Sequence, residues 1–138
     1  MGLILCHENQ ALRPYYIDDL GIHIYTIEQL CYCIYEYPLI AADGFVTRSL
    51  LDFITSELHL YLRTEGIRED DLLISILGIC DYYTSAEVDR FRTRMQELRK
   101  LKRAAFLKEK GDFLFGLHKY GKAIKTYMKF LKTYIKNF

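Results

Sequence analysis

Lysine is the reactive residue type with the most regular spacing in this chain. Five lysines near the C-terminus recur at steps of three and four residues: Lys122, Lys125, Lys129, Lys132 and Lys136. This spacing keeps side chains on one face of an α-helix, and we call these five residues the lysine edge. A row of ammonium groups suits an acidic protein, a nucleic acid or an anionic membrane surface. We predict that Lys122, Lys125, Lys129 and Lys132 contact a partner.

The residue types that most often bind metals or perform catalysis show no comparable pattern. The histidines form no His-Glu-x-x-His motif, and the cysteines have neither paired metal spacing nor the pattern of a secreted disulfide framework. The sequence also lacks a glycine-rich phosphate loop and a nucleophile elbow. We therefore predict a protein that is not an enzyme, with no catalytic residue, metal site or cofactor, and interpret the cysteines as small buried apolar residues. These histidines and cysteines are His7, His23, His59, His118, Cys6, Cys31, Cys33 and Cys80.

Charge is distributed unevenly along the chain. Residues 1–98 contain 16 acidic and 7 basic residues, whereas residues 99–138 contain 2 acidic and 12 basic residues. The near-neutral total of +1 therefore hides a net charge of −9 followed by one of +10. Three explanations are open: the acidic body complements the basic tail, copies of the chain pair with each other, or the tail binds an acidic partner. Nucleic acid is less favoured than an acidic protein, because almost no aromatic residue shares the lysine face.

The lysine edge requires a helix, and an apolar row on the opposite side of that helix requires a partner surface. This row consists of Ile124, Tyr127, Leu131, Ile135 and Phe138. A second set at helical spacing lies just upstream: Phe106, Leu107, Lys110, Leu114 and Leu117. The connection around residues 116–121 is short, which favours two antiparallel helices. We expect the two rows to pack against each other as a helical hairpin.

Small and aromatic residues alternate along this hairpin. Gly111 stands in the first helix with Phe115 four residues later, Tyr120 stands at the turn, and Ala123 precedes Tyr127 by four in the second helix. These positions resemble those of a single tetratricopeptide repeat, over about 30 residues. The resemblance implies that the five residues hold the hairpin together. Repeats of this family stack on one another, and no second copy lies upstream, so the rest of the chain or another molecule must cover the hairpin.

The first half of the chain predicts further elements. Residues 15–17 and 22–25 are β-prone runs separated by turn-forming residues, which predicts a small β-hairpin. Thr26 with Gln29 has the spacing of a capping box, and Pro38 discourages continuation of that helix beyond residue 37. A helix is expected over residues 46–54. Thr55 or Ser56 is expected to restart a further turn or two through Leu58, Tyr61 and Leu62, with an end near Gly66.

The second half is expected to be entirely helical. Asp70 is predicted to cap a helix that is apolar nearly all round and therefore central. Thr84 with Glu87 forms a second capping box. No glycine or proline separates this helix from the terminal hairpin, but an uncapped helix over residues 85–118 would be unusual in a compact domain. We therefore predict a break near residues 99–102.

These observations predict one mainly α domain over residues 1–138, with about six or seven helices. Residues 1–98 form an acidic helical body with a small N-terminal β-hairpin near residues 15–25, and residues 99–138 form the basic hairpin that resembles a tetratricopeptide repeat. The overall layout is also similar to that of bacterial helical proteins, a resemblance that implies no activity.

The N-terminal residues lack the pattern of a signal peptide, and no stretch reaches the ~20 apolar residues that span a bilayer, so we expect a soluble, cytoplasmic protein without a transmembrane segment. The predicted function is a non-enzymatic protein interaction or assembly module, an adaptor that acts through the hairpin and its lysine face. Its partner is expected to be an acidic protein, and self-association stays open. The alternative is a nucleic-acid-associated regulator that uses the same basic face.

Overall fold

A computed structural model describes residues 10–136, so the predictions for Cys6, His7 and Phe138 lie outside the described residues. It confirms the predicted fold class: the described chain is 65% helical, with seven helices and one small antiparallel hairpin. The elements are β1 (Tyr15–Ile17), β2 (Ile22–Ile24), α1 (Ile27–Glu36), α2 (Pro38–Ala41), α3 (Arg48–Asp52), a π-helical turn (Phe53–Glu57), α4 (Glu69–Ile79), α5 (Ser85–Lys100), α6 (Arg103–Gly116) and α7 (Tyr120–Lys136).

The β-hairpin forms where it is predicted. Tyr15 pairs with Ile24 and Ile17 with Ile22 in antiparallel register. Gly21 closes the turn with a φ of +65°, which glycine adopts without steric cost. Ile17 and Ile24 are buried, so the hairpin contributes one face to the core and leaves the Asp18–Asp19 turn at the surface.

Two capping boxes begin helices as predicted. Thr26 Oγ1 accepts a hydrogen bond from Gln29 N at 3.1 Å, and Thr84 Oγ1 accepts one from Glu87 N at 3.2 Å. Each glutamine or glutamate side chain bonds back to the backbone N–H of its threonine. The predicted break before the terminal hairpin is also confirmed, because α5 ends at Lys100 and Leu101 has an extended backbone.

Two predictions about helix ends are wrong. No helix covers residues 58–66: the chain leaves the π-helical turn at Glu57, and Gly66 lies in a turn with a φ of +70°. Thr55 Oγ1 donates to Leu51 O at 3.0 Å, a side-chain bond of the kind that distorts a helix. Asp70 does not cap α4, which begins after Arg68 without a side-chain cap. The Asp70 carboxylate instead pairs with Arg99 at 2.8 Å.

The core is built around α1 and α4. Leu30 and Ile34 of α1, and Leu73, Ile76 and Leu77 of α4, are almost completely inaccessible to solvent, which agrees with the predicted central position of α4. Helix α6 covers one side of this core with Phe106 and Leu114. Helix α7 lies outside α6, which is its principal neighbour.

Candidate protein interaction surface

Helices α6 and α7 approach closely at a glycine. A Cβ atom on Gly111 would lie 2.5 Å from Cε1 of Tyr127, so the Tyr127 ring occupies the space that a larger residue would need. The Tyr127 hydroxyl donates to Asp112 Oδ1 at 2.5 Å, and Lys108 Nζ donates to Asp112 Oδ2 at 3.1 Å. The hydrogen bond from Tyr127, and after it the one from Lys108, holds the pKa of Asp112 below its usual value. The Asp112 carboxylate in turn raises the pKa of Tyr127.

The prediction that the apolar row of α7 packs against α6 is wrong for Ile124, Leu131 and Ile135, whereas Tyr127 of that row does contact α6 at Gly111. The side of α7 that faces α6 carries buried Ala123 and Thr126, together with half-buried Tyr127 and Phe130. Ile124, Leu131 and Ile135 are exposed instead. Gly111 leaves room for the ring of Tyr127, which belongs to the predicted row and packs on this side of α7. Since Ile124 follows Ala123 by one residue, it lies about 100° further round the helix.

The consequence is an exposed apolar stripe along α7, formed by Ile124, Met128, Leu131 and Ile135. These four side chains are between 51% and 67% exposed. The Tyr120 and Phe115 rings, with centroids 5.3 Å apart and both about half exposed, extend the apolar surface at the start of the helix. Sequence reasoning overlooked Met128, although its distances of four residues from Ile124 and three from Leu131 were a readable signal.

The lysine edge flanks the apolar stripe. Lys125, Lys129, Lys132 and Lys136 are exposed and form no ion pair with any residue in the range 10–136. Lys122 differs, because its ammonium group pairs with Asp18 in the turn of the β-hairpin. That hydrogen bond raises the pKa of Lys122 and lowers the pKa of Asp18. One of the four predicted contact residues is therefore already used inside the molecule.

A buried lysine joins the hairpin to the acidic body. The Lys110 side chain is only 8% exposed, and its Nζ lies 2.9 Å from Asp19 Oδ2 and 2.8 Å from Asp43 Oδ2. Arg103 Nη1 approaches the other oxygen of Asp43 at 3.0 Å. Burial is the largest single effect on Asp43 and acts to raise its pKa, but the hydrogen bonds from Lys110 and Arg103 together outweigh it and leave the pKa low.

Arg99 makes a further connection between the two parts of the chain. Its guanidinium lies 2.8 Å from Asp70, 3.6 Å from Glu69 and 2.7 Å from the carbonyl oxygen of Ala42. We call the ion pairs between the basic tail and the acidic body the ion-pair belt. Its tail residues are Arg99, Arg103, Lys110 and Lys122, and its body residues are Asp18, Asp19, Asp43, Glu69 and Asp70. The belt shows that the acidic body complements part of the basic tail. Lys125, Lys129, Lys132 and Lys136 form no ion pair within residues 10–136.

Within residues 10–136, no group of three or more His, Cys, Asp or Glu side chains is arranged to hold a metal ion. Cys31 and Cys33 are buried as predicted, and Cys80 is half-buried. Burial raises the pKa of Cys33 to about 11 and that of Cys31 further still. None of the described helices is both long and apolar enough to cross a membrane.

Comparisons with protein-family models, with curated proteins and with solved structures found no match. The resemblance of the hairpin to one tetratricopeptide repeat therefore stays a prediction from its residues.

Proposed function

We propose that this protein is a non-enzymatic interaction module that binds another protein through the outer surface of α7. The observation that carries the proposal is the apolar stripe, four aliphatic or thioether side chains that each remain more than half exposed on one regular helix. Single exposed apolar residues are ordinary, but a contiguous row beside charged residues is typical of a protein interface.

The lysine edge extends this surface on one side. Lys125, Lys129, Lys132 and Lys136 add positive charge and form no ion pair among the described residues, although the charge of Lys125 also acts on Asp18. This surplus of cations favours an acidic partner. Burial of the apolar stripe would supply affinity, and the lysines would supply orientation and a faster association rate.

A nucleic-acid-associated regulator that uses the lysine edge is the second candidate. Its support is the same row of lysines, which could follow a phosphate backbone. Two features favour a protein partner instead. The lysine edge contains no arginine, and aliphatic side chains dominate its apolar neighbour, whereas phosphate-tracking surfaces interleave cations with aromatic rings.

The test is affinity capture with the full-length tagged chain from its native cell lysate, with and without nuclease. Three variants are compared with the wild type. The first is Met128→Gln with Leu131→Gln, the second has glutamate at Lys125, Lys129, Lys132 and Lys136, and the third is Tyr61→Gln with Tyr82→Gln. The last pair is a control, because Tyr61 and Tyr82 are exposed far from α7 in the sequence. We expect a discrete protein to be retained by the wild type and the control in both nuclease arms, and to be lost from the two α7 variants.

Two results would contradict the proposal. Retention that disappears with nuclease would assign the lysine edge to nucleic acid. Retention that survives both α7 variants would place the binding site elsewhere on the molecule. Circular dichroism of each variant checks that the fold is intact, and we expect no loss of helix because the replaced side chains are exposed.

A further inference from the structure

The apolar stripe has the spacing of a coiled-coil seam. Ile124, Met128, Leu131 and Ile135 are separated by four, three and four residues, which corresponds to heptad positions d, a, d and a. Helix α7 has 17 residues and is therefore about 25 Å long. A second helix laid along it could insert apolar side chains between these four residues over the whole length of the stripe.

The two flanks of this seam differ in charge. Lys125 and Lys132 occupy the e positions directly beside it, and Lys129 and Lys136 occupy the b positions further out. On the other flank, position g is tyrosine at Tyr127. Residues at e and g determine which partner a coiled-coil helix accepts, because they pair with the flanking residues of the other helix.

We propose that the apolar stripe binds an acidic amphipathic helix of another protein, with its apolar row in the seam and its carboxylates on Lys125 and Lys132. The inference rests on the proposed function, since it names the kind of protein segment that the α7 surface accepts. The charge complementarity is one-sided: the partner needs carboxylates on the flank that faces the lysines and uncharged residues on the flank that faces the tyrosines.

A second copy of this chain fits the seam less well. Helix α7 contains no aspartate or glutamate. In an antiparallel pair of α7 helices, e positions face e positions, so Lys125 of one copy would approach Lys132 of the other. In a parallel pair, e faces g, so each lysine would face a tyrosine. Neither arrangement supplies an anion to the lysines, whereas an acidic helix does so in both orientations.

An anionic bilayer also matches the surface less well than a helix. A membrane-bound amphipathic helix presents cations to the headgroups along its polar face. Here the tyrosine flank carries the Asp112 carboxylate, hydrogen-bonded to Tyr127 and paired with Lys108, so that side offers the headgroups an ion pair and not an unpaired cation. A single helix would avoid this carboxylate because its acidic residues lie on the opposite flank.

The experiment measures binding of synthetic helices to the full-length protein by fluorescence anisotropy. Two labelled three-heptad peptides with leucine at a and d serve as main probes: one has glutamate at e and glutamine at g, the other glutamine at e and glutamate at g. In either orientation of binding, one of them places its carboxylates on the lysine flank and its amides on the tyrosine flank, and the tighter binder is called the acidic heptad probe. One control probe has the same composition in an order that breaks the heptad, and another has lysine in place of glutamate. We expect the dissociation constant for the acidic heptad probe to be at least tenfold lower than for either control.

Charge reversal on the protein provides the specific test. Lys125→Glu with Lys132→Glu should weaken binding of the acidic probe at least tenfold and should improve binding of the lysine probe. The matched control is Lys129→Glu with Lys136→Glu, which makes the same charge change on the same helix but further from the seam. We expect this control to change affinity much less than the e-position pair does.

Several results would overturn the inference. Equal affinity for the heptad and reordered probes would indicate non-specific charge attraction, and equal loss in the two lysine pairs would indicate the same. Binding of the unlabelled protein to anionic lipid vesicles with no binding of the probes would assign the stripe to a bilayer. A dimer in sedimentation velocity that Met128→Gln with Leu131→Gln dissociates would assign it to a second copy. If the probes fail while stripe-dependent capture from lysate persists, the proposed function stands and only the helical partner is excluded.

Discussion

At the scale of single residues, the position of Lys110 is determined by charge as much as by packing. Its register in α6 places it among Leu107 and Leu114, where a lysine would be costly without partners. Asp19 and Asp43 supply two carboxylates within 2.9 Å, one from the β-hairpin turn and one from the loop after α2. Lys110 thus connects three segments that are distant in sequence, and the pairing compensates for its burial.

Replacement of Lys110 by methionine should therefore destabilise the protein although it preserves the apolar stem of the side chain. Two partly buried carboxylates would lose a hydrogen-bonded cation, and we expect the free energy of unfolding at pH 7 to fall by about 2 kcal/mol. Urea denaturation measures the change. Lys129→Met is the matched control, with an expected effect below about 0.5 kcal/mol because Lys129 is exposed and forms no ion pair with another described residue. Equal stability of wild type and Lys110→Met would show that the belt contributes nothing at this position.

At the scale of elements, the contact between α6 and α7 depends on the glycine at position 111. Alanine normally favours a helix over glycine by about 1 kcal/mol. At Gly111, however, the added Cβ would lie 2.5 Å from the Tyr127 ring, which is held in place by Asp112. Packing therefore opposes the intrinsic helix preference at this position.

We expect Gly111→Ala to lower the free energy of unfolding by about 1–3 kcal/mol through overpacking of the hairpin. The control is Gly121→Ala in the first turn of α7, where no atom lies within 4 Å of the added Cβ. This control should be neutral or stabilising by up to about 1 kcal/mol. Thermal or urea denaturation distinguishes the two. If Gly111→Ala is as stable as the control, Tyr127 moves aside freely and the close contact does not hold the hairpin.

Helix starts could be predicted from short-range sequence patterns, whereas the face by which a helix packs in the tertiary structure could not. The boxes at Thr26 and Thr84 were readable because both partners lie within four residues. The face of α7 that packs against α6 could not be predicted, because residues at helical spacing lie on two faces. One carries the larger apolar row, and the other carries the smaller set that includes Ala123 and Thr126. In the structure Tyr127 of the larger row packs against Gly111, on the same side as buried Ala123 and Thr126. Hydrophobicity alone did not show that Ile124, Leu131 and Ile135 stay exposed.

The same limit applies to the candidate site. The sequence located the lysine edge, but a residue count could not separate Lys122, which pairs with Asp18 across 104 positions, from Lys125 and Lys129. Asp70 was predicted to cap a helix because it lies near a helix start, and its ion pair with Arg99 was not predicted. Pairings across the fold depend on where two separate segments meet, and a single sequence does not encode that in a local pattern.

At the scale of the whole molecule, the ion-pair belt holds a cationic hairpin to an anionic body. Asp43 and Asp18 have lowered pKa values in the folded state, because the hydrogen bonds from Lys110, Arg103 and Lys122 favour their charged forms. A carboxyl group of this kind binds protons more readily in the unfolded chain. Its contribution to stability is therefore complete above the unfolded pKa, near 4, and is lost as the pH falls through the lower folded value.

Because the pKa values of Asp43 and Asp18 are lowered in the folded state, we expect acid to weaken the attachment between the hairpin and the body. The urea midpoint should change little between pH 7 and pH 5 and should fall as the pH is lowered from about 4 to about 3. Hydrogen exchange should show faster exchange in α6 than in α4 over the same interval, because α6 carries Lys110 and Arg103 whereas α4 lies in the apolar core. Asp43→Asn removes one titrating group of the belt, so the variant should be less stable at pH 7 and lose less on acidification. An equal or larger acid-induced loss in Asp43→Asn would mean that the belt does not govern the attachment, since the group with the most extensive pairing would then be irrelevant to the response.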